Sequence, residues 1–173
     1  MNLFSEIDPG NAEEMNVVVE TPRDSRNKYE MDTATGIFWL DRVIPGAHDY
    51  PVEYGLVPQT LSDDGDALDA ILLSSFPFFP GAVVPTRPIG VLDMIDSGEE
   101  DSKILGVPAK DLRYAHVKDI SDVPPHTLKE IEHFFGTYKQ LSGKEVVVRG
   151  FKGRSEASAL FERARKMYVD KKK

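Results

Sequence analysis

Residues 124–141 read Pro-Pro-His-Thr-Leu-Lys-Glu-Ile-Glu-His-Phe-Phe-Gly-Thr-Tyr-Lys-Gln-Leu, and within them Leu128, Ile131, Phe134, Phe135, Tyr138 and Leu141 recur at steps of three and four. That period puts them on one helical face and predicts a helix from about Pro125 to Leu141. Downstream, a strand is expected near Lys144 to Phe151. The pattern Ala157, Leu160, Phe161, Ala164, Met167, Tyr168 then predicts a terminal amphipathic helix whose aromatic stripe packs on a sheet.

Upstream the texture is that of strands. Asn16 to Glu20 is rich in Val, Lys28 to Asp32 alternates, and Gly36 to Val43 follows a Thr-Ala-Thr-Gly link, as in a hairpin. Leu68 to Ser74, Ala82 to Thr86, Ile89 to Ile95 and Lys103 to Val107 are further short apolar runs cut by Pro, Gly and Asp. Strands first and helices after define an α+β fold, mainly β, and the strand spacing suggests a small barrel or a strongly curved sheet. With 173 residues and no internal repeat, residues 1–173 are expected to form a single domain.

The chain has 21 basic and 29 acidic residues, a formal net charge of −8, and no cysteine. Disulfides, thiolate metal sites and cysteine nucleophiles are therefore excluded, and a reducing, cytoplasmic setting is expected. The first sixteen residues lack the basic start and apolar run of a secretion signal, and no apolar stretch approaches a membrane span. Acidity argues against nucleic-acid backbones as partners. The charge is also localised: residues 63–101 hold nine acidic residues against Arg87 alone, while residues 1–62 and 102–173 carry −7 and +7.

Within that segment, Asp63-Asp64-Gly65-Asp66-Ala67-Leu68-Asp69 places four carboxylates at the entry to an apolar strand. A solvated Asx turn is the bland reading. Against it, a carboxylate such as Asp69 inside an apolar run needs a counter-charge or a metal to offset its desolvation. Hard divalent ions take such oxygen ligands. Asp96-Ser97-Gly98-Glu99-Glu100-Asp101 is either a charged hairpin loop or a second source of ligands. A calcium-binding EF-hand loop fails on spacing, because its sixth and twelfth positions, counted from Asp64, are Asp69 and Ser75. His48, His116, His126 and His133 have no metalloprotease context, and no glycine-rich phosphate loop or serine-hydrolase elbow occurs.

Taken together, the blocks Val18-Val19-Glu20, Lys28-Tyr29-Glu30, Asp41-Arg42, Tyr50-Pro51 with Tyr54-Gly55, Asp64 to Asp69, Asp96 with Asp101 and Lys103, and His133-Phe134-Phe135 with Tyr138-Lys139 resemble, in order, the family I soluble inorganic pyrophosphatases. The resemblance implies a five-stranded OB-like closed β-barrel flanked by two helices, and hydrolysis of pyrophosphate to two phosphates with several Mg²⁺ ions. It implies Asp64, Asp69, Asp96 and Asp101 as metal ligands, with Glu20 and Glu30 supporting metals that arrive with substrate. Lys28, Arg42, Tyr54, Lys103, Tyr138 and Lys139 would bind the phosphates, and Asp66 would take the proton of the attacking water. A homo-oligomer, commonly a hexamer for chains of this size, is implied as well.

Departures from the family pattern are Ala67 in place of Pro, Gly136 and Thr137 before the Tyr-Lys pair, and Glu53, which would add negative charge beside Tyr54. Two rivals remain open on residues alone: a noncatalytic OB-like module binding nucleotides or single strands, and a metal phosphohydrolase for another phosphoanhydride. The first should show a basic groove with exposed aromatics, where this chain offers nine carboxylates.

Overall fold

The computed structural model describes residues 1–173. In chain order the elements are α1 (Leu3–Glu6), β1 (Met15–Thr21), β2 (Asn27–Met31), β3 (Phe38–Val43), β4 (Glu53–Leu56), β5 (Asp69–Leu72), β6 (Val83–Asp96), β7 (Glu99–Glu100), β8 (Lys103–Pro108), α2 (Pro125–Thr137), β9 (Val146–Lys152) and α3 (Arg154–Lys171). β2 and β3 form a two-stranded sheet of their own, and the other strands make a seven-stranded sheet in the order β1-β4-β5-β8-β6-β7 with β9 on β6. No helix is long and apolar enough to cross a membrane.

The expected closed five-stranded barrel is not what the chain forms. β1, β4, β5, β8 and β6 do make a ring of neighbours, but β1 meets β6 only over Val83–Thr86. Further along, that edge of β6 passes to β9 over Val91–Asp96, while β8 holds the opposite edge over Thr86–Leu92. The ring therefore stays open along most of β6. Register shifts at Pro88/Gly90 and Asp93/Met94 mark where this 14-residue strand bends away from β1. They also explain why the two strands expected at 82–86 and 89–95 are one. Pro88 removes a donor, but it sits at an irregularity where the ladder does not need one.

Two further differences are local. β4 forms where no strand is expected, because four residues containing Gly55 between Pro51 and Pro58 carry little strand signal. α2 ends at Thr137 rather than Leu141, and residues 140–142 form a 3₁₀ turn closed by Gly143 at φ 73°. Pro125 opens α2 because its fixed φ suits the first helical turn, where its missing N–H is not needed.

The core lies in two masses. One, beneath α2, joins Ile131, Phe134 and Phe135 to Tyr50, Tyr54, Ile71, Leu92 and Leu105. The other, beneath α3, joins Ala157, Phe161 and Ala164 to Val17, Val19, Leu72, Val91 and Ile104. Each large side chain so buried contributes about 1.5–3 kcal/mol, which ties both helices to the strands that carry the acidic residues.

Candidate active site

The acidic loop is itself a turn. Ser62 N–H donates to Asp66 O at 2.7 Å, Asp66 N–H donates to Asp64 Oδ1 at 3.0 Å, and Gly65 takes φ 92°, a conformation that suits glycine. The Asx-turn reading is therefore met, and the turn presents its carboxylates to a cavity of about 730 Å³. Asp69, at the start of β5, lies beyond the turn. Its Oδ2 accepts from Tyr54 Oη at 2.7 Å and from Lys103 Nζ at 2.6 Å. Lys103 is 2% exposed and also meets Asp101 Oδ1 at 2.8 Å. The counter-charge that Asp69 required is thus a buried lysine from β8.

The β6–β7 hairpin brings the second acidic run to the same cavity. Ser97 and Gly98, at φ 52° and 87°, make its turn and leave Asp96 and Asp101 on the two arms. Asp96 pairs with Lys139, which follows α2. On the two-stranded sheet, Lys28 pairs with Glu30 and lies 3.3 Å from Asp41, and Arg42 Nε donates to Asp41 at 2.9 Å. Glu20, at the end of β1, is buried and accepts from Met31 N–H at 2.7 Å. Asp66 and Asp64 from the loop, Glu20 and Glu30, Asp69, Asp96 and Asp101, the cations Lys28, Arg42, Lys103 and Lys139, and the phenols Tyr54 and Tyr138 all line this one cavity.

Proton affinities follow from that crowding. Burial, then Asp64, Asp69 and Glu30, push the Asp66 carboxyl up. Burial above all, with Asp69 and Glu30 adding to it, raises Glu20 to about 8. Burial likewise holds the Tyr54 and Tyr138 phenols protonated, as hydrogen-bond donors. Asp96 goes the other way: burial opposes its charge, but the Lys139 ammonium outweighs it and holds the carboxyl low. Like carboxylates raise one another's pKa until a cation neutralises them.

The donor set is all oxygen, with neither histidine nor cysteine on the wall, which fits a hard divalent cation such as Mg²⁺. No three carboxylates converge closely enough to form a ready-made cage. Mutual repulsion and pairing with Lys28, Lys103 and Lys139 account for that spread. Glu53 corrects an expectation: it points away from the cavity and is fully buried, accepting from Ser74 Oγ at 2.7 Å, Arg23 N–H at 3.0 Å and Phe78 N–H at 3.3 Å. Alternation along β4 separates it from Tyr54, so it adds no charge beside the phenol.

Some of the wall was not legible in the sequence. The apolar stripe of α3 predicts core packing alone, yet Leu160, Arg163, Ala164 and Met167 line the cavity, and Arg163 Nη2 donates to both oxygens of Asp63 at 2.7 Å. Asp41, which pairs with both Lys28 and Arg42, has as its only signal in the sequence its place directly before Arg42.

A cavity that sets clustered carboxylates against lysines, an arginine and phenols has the donor and acceptor groups to hold hard cations and a polyanion together. The comparisons name the family: a family model described as inorganic pyrophosphatase matches residues 17–169. An inorganic pyrophosphatase from Nostoc sp. is 47% identical over 154 residues, covering 89% of this chain and 91% of that protein. A crystal structure of inorganic pyrophosphatase from Thermus thermophilus superposes with TM-score 0.94 at 44% identity, covering 98% of this chain and 99% of that one. The Helicobacter pylori enzyme follows at TM-score 0.92 and 41% identity, covering 95% and 99%. The chain belongs to the inorganic pyrophosphatase family.

Proposed function

We propose that the protein hydrolyses inorganic pyrophosphate to two phosphates with Mg²⁺, on the residues gathered in this cavity. The observation that carries the reading is the pairing pattern: each lysine assigned to phosphate rests against a carboxylate assigned to metal, Lys28 on Glu30, Lys103 on Asp69 and Asp101, Lys139 on Asp96. Binding a cation together with a polyanion exchanges these internal pairs for external ones. No buried charge is then left unmatched, the condition under which buried ions are tolerated.

Asp64, Asp69, Asp96 and Asp101 hold the divalent ions, with Glu20 and Glu30 serving those that arrive with substrate. The Mg²⁺ that these carboxylates would hold would supply Lewis acidity, easing loss of a proton from water at neutral pH. Asp66, its affinity for protons raised by burial and by Asp64 and Asp69, takes the proton of the attacking water. Arg42, Lys28 and Lys139 stabilise charge on the phosphoryl oxygens and the leaving phosphate, while Lys103 and the Tyr54 and Tyr138 hydroxyls orient the substrate. By the same resemblance we expect a homo-oligomer, a hexamer, in a cytoplasmic setting.

The test is phosphate release from pyrophosphate with Mg²⁺ and with EDTA. Turnover is expected only with the metal, and Asp66→Asn should lower it by about 10²–10⁴. A wild type without metal-dependent release would refute the reading, and an unimpaired Asp66→Asn would remove Asp66 as the base.

A further inference from the structure

The hairpin that carries Asp96 and Asp101 is weakly built. β7 has two residues, paired only as Ile95↔Glu100 and Asp96↔Glu99, and the segment from Asp96 to Asp101 holds four carboxylates that repel one another. Besides Lys103 on Asp101 and Lys139 on Asp96, which are the site's own pairs, a side chain from β9 ties this tip to the body of the sheet. Between Asp93↔Gly150 and Met94↔Val148, the ladder of β9 against β6 leaves Arg149 as the extra, bulged residue, and Gly150 takes φ 108° beside it. Bulges re-aim the side chains they carry.

Arg149 is aimed at the hairpin. Its Nε and Nη2 reach Asp93 Oδ1 at 3.0 and 2.5 Å, and its Nη1 and Nη2 fork onto Glu100 Oε1 and Oε2 at 2.9 and 2.5 Å. Lys152 Nζ holds the other oxygen of Asp93 at 2.9 Å. One guanidinium thus bridges the body of β6 and the returning strand, in the bidentate geometry that fixes orientation. Glu100 and Asp101 are successive residues, so their side chains leave the strand on opposite sides. Their exposures differ accordingly, 59% for Glu100 against 23% for Asp101, which meets Lys103.

We infer that Arg149 is a positioning residue for the divalent cations: by gripping Glu100 it holds the β6–β7 hairpin so that Asp96 and Asp101 stay turned into the cavity. The inference rests on the proposed function for the assignment of those two carboxylates as ligands. Without Arg149, the hairpin must be ordered by the incoming cation, and that ordering cost is subtracted from affinity.

The sign of the effect makes this testable. Deleting a positive charge near a cation site should, by charge alone, tighten cation binding, whereas loss of positioning weakens it. Mn²⁺ binding to the metal-free protein, followed by the electron paramagnetic resonance of the free ion, reads affinity without turnover. Arg149→Met is expected to weaken it about fivefold, the scale of one exposed ion pair. Glu100→Gln should do the same, and the double variant should fall no further than either single one. Arg149→Lys, lacking the fork, should recover only part. Lys152→Met, which removes the other partner of Asp93, should bind as wild type does.

Wild-type or tighter binding by Arg149→Met would overturn the inference, as would an equal loss in Lys152→Met, which would signify general loosening of β6 and β9. Should Arg149→Met fail to fold, Glu100→Asp, which keeps the negative charge on the cavity wall but shortens the reach to Arg149, carries the test, and wild-type affinity there would overturn it. A wild type that binds Mn²⁺ but releases no phosphate from pyrophosphate would refute the proposed function while leaving this inference standing.

Discussion

Lys103 is the residue on which the site turns. It is buried between Asp69 and Asp101, and although burial alone would lower its proton affinity, those two carboxylates raise it instead. Replacing it by Met strands two carboxylates, and breaking a buried pair in this way costs about 3–5 kcal/mol. Lys103→Met is therefore expected to be strongly destabilised in EDTA and largely restored by Mg²⁺, as read by denaturant melts in the two conditions. Asp93 gives a pH dependence. Burial opposes its charge, but Arg149 and Lys152 outweigh that and hold its carboxyl below the usual range. A depressed folded pKa contributes stability that is present above the unfolded value of about 3.9 and lost as pH falls through the folded one. Asp93→Asn should thus be about 1–2 kcal/mol less stable than wild type at pH 7, and the gap in urea melts should close as the pH drops below that unfolded value.

At the level of elements, β4 shows how little local signal a strand needs once its neighbours define it. Gly55 lies against β1 where the register shifts between Val19 and Thr21, and a Cβ there would strike the Val18 carbonyl and crowd Val19 Cα. The backbone of β1 cannot yield as a side chain does. Gly55→Ala is therefore expected to cost at least about 2 kcal/mol, with a lower melting temperature as the check. β6 makes the opposite point: Pro85 and Pro88 punctuate the sequence like strand ends, yet the strand runs through them because pairing partners on both edges hold it. The helices were legible because a period of three and four residues over a dozen positions has no strand counterpart.

For the whole molecule, the cavity is where β1 to β5, β8, the hairpin, the residues that follow α2, and α3 meet, so cation binding should be felt globally. Saturating Mg²⁺ is expected to raise the melting temperature and EDTA to lower it, since a ligand at a hundredfold its dissociation constant adds about 2.7 kcal/mol of stability; scanning calorimetry at fixed pH measures this. By itself, the sequence determined the α+β class and the two amphipathic helices, which are encoded locally in periodicity and turn chemistry. The thirteen residues that the family resemblance implies for the site all line one cavity. Only the tertiary structure decided that the sheet stays open rather than closing into a barrel, that Glu53 turns inward, that Lys103 is the counter-charge of Asp69, and that α3 walls the cavity. Each of these depends on contacts between residues far apart in the chain, and on bulges that redirect a strand by one residue, which no local pattern of hydrophobicity or charge records.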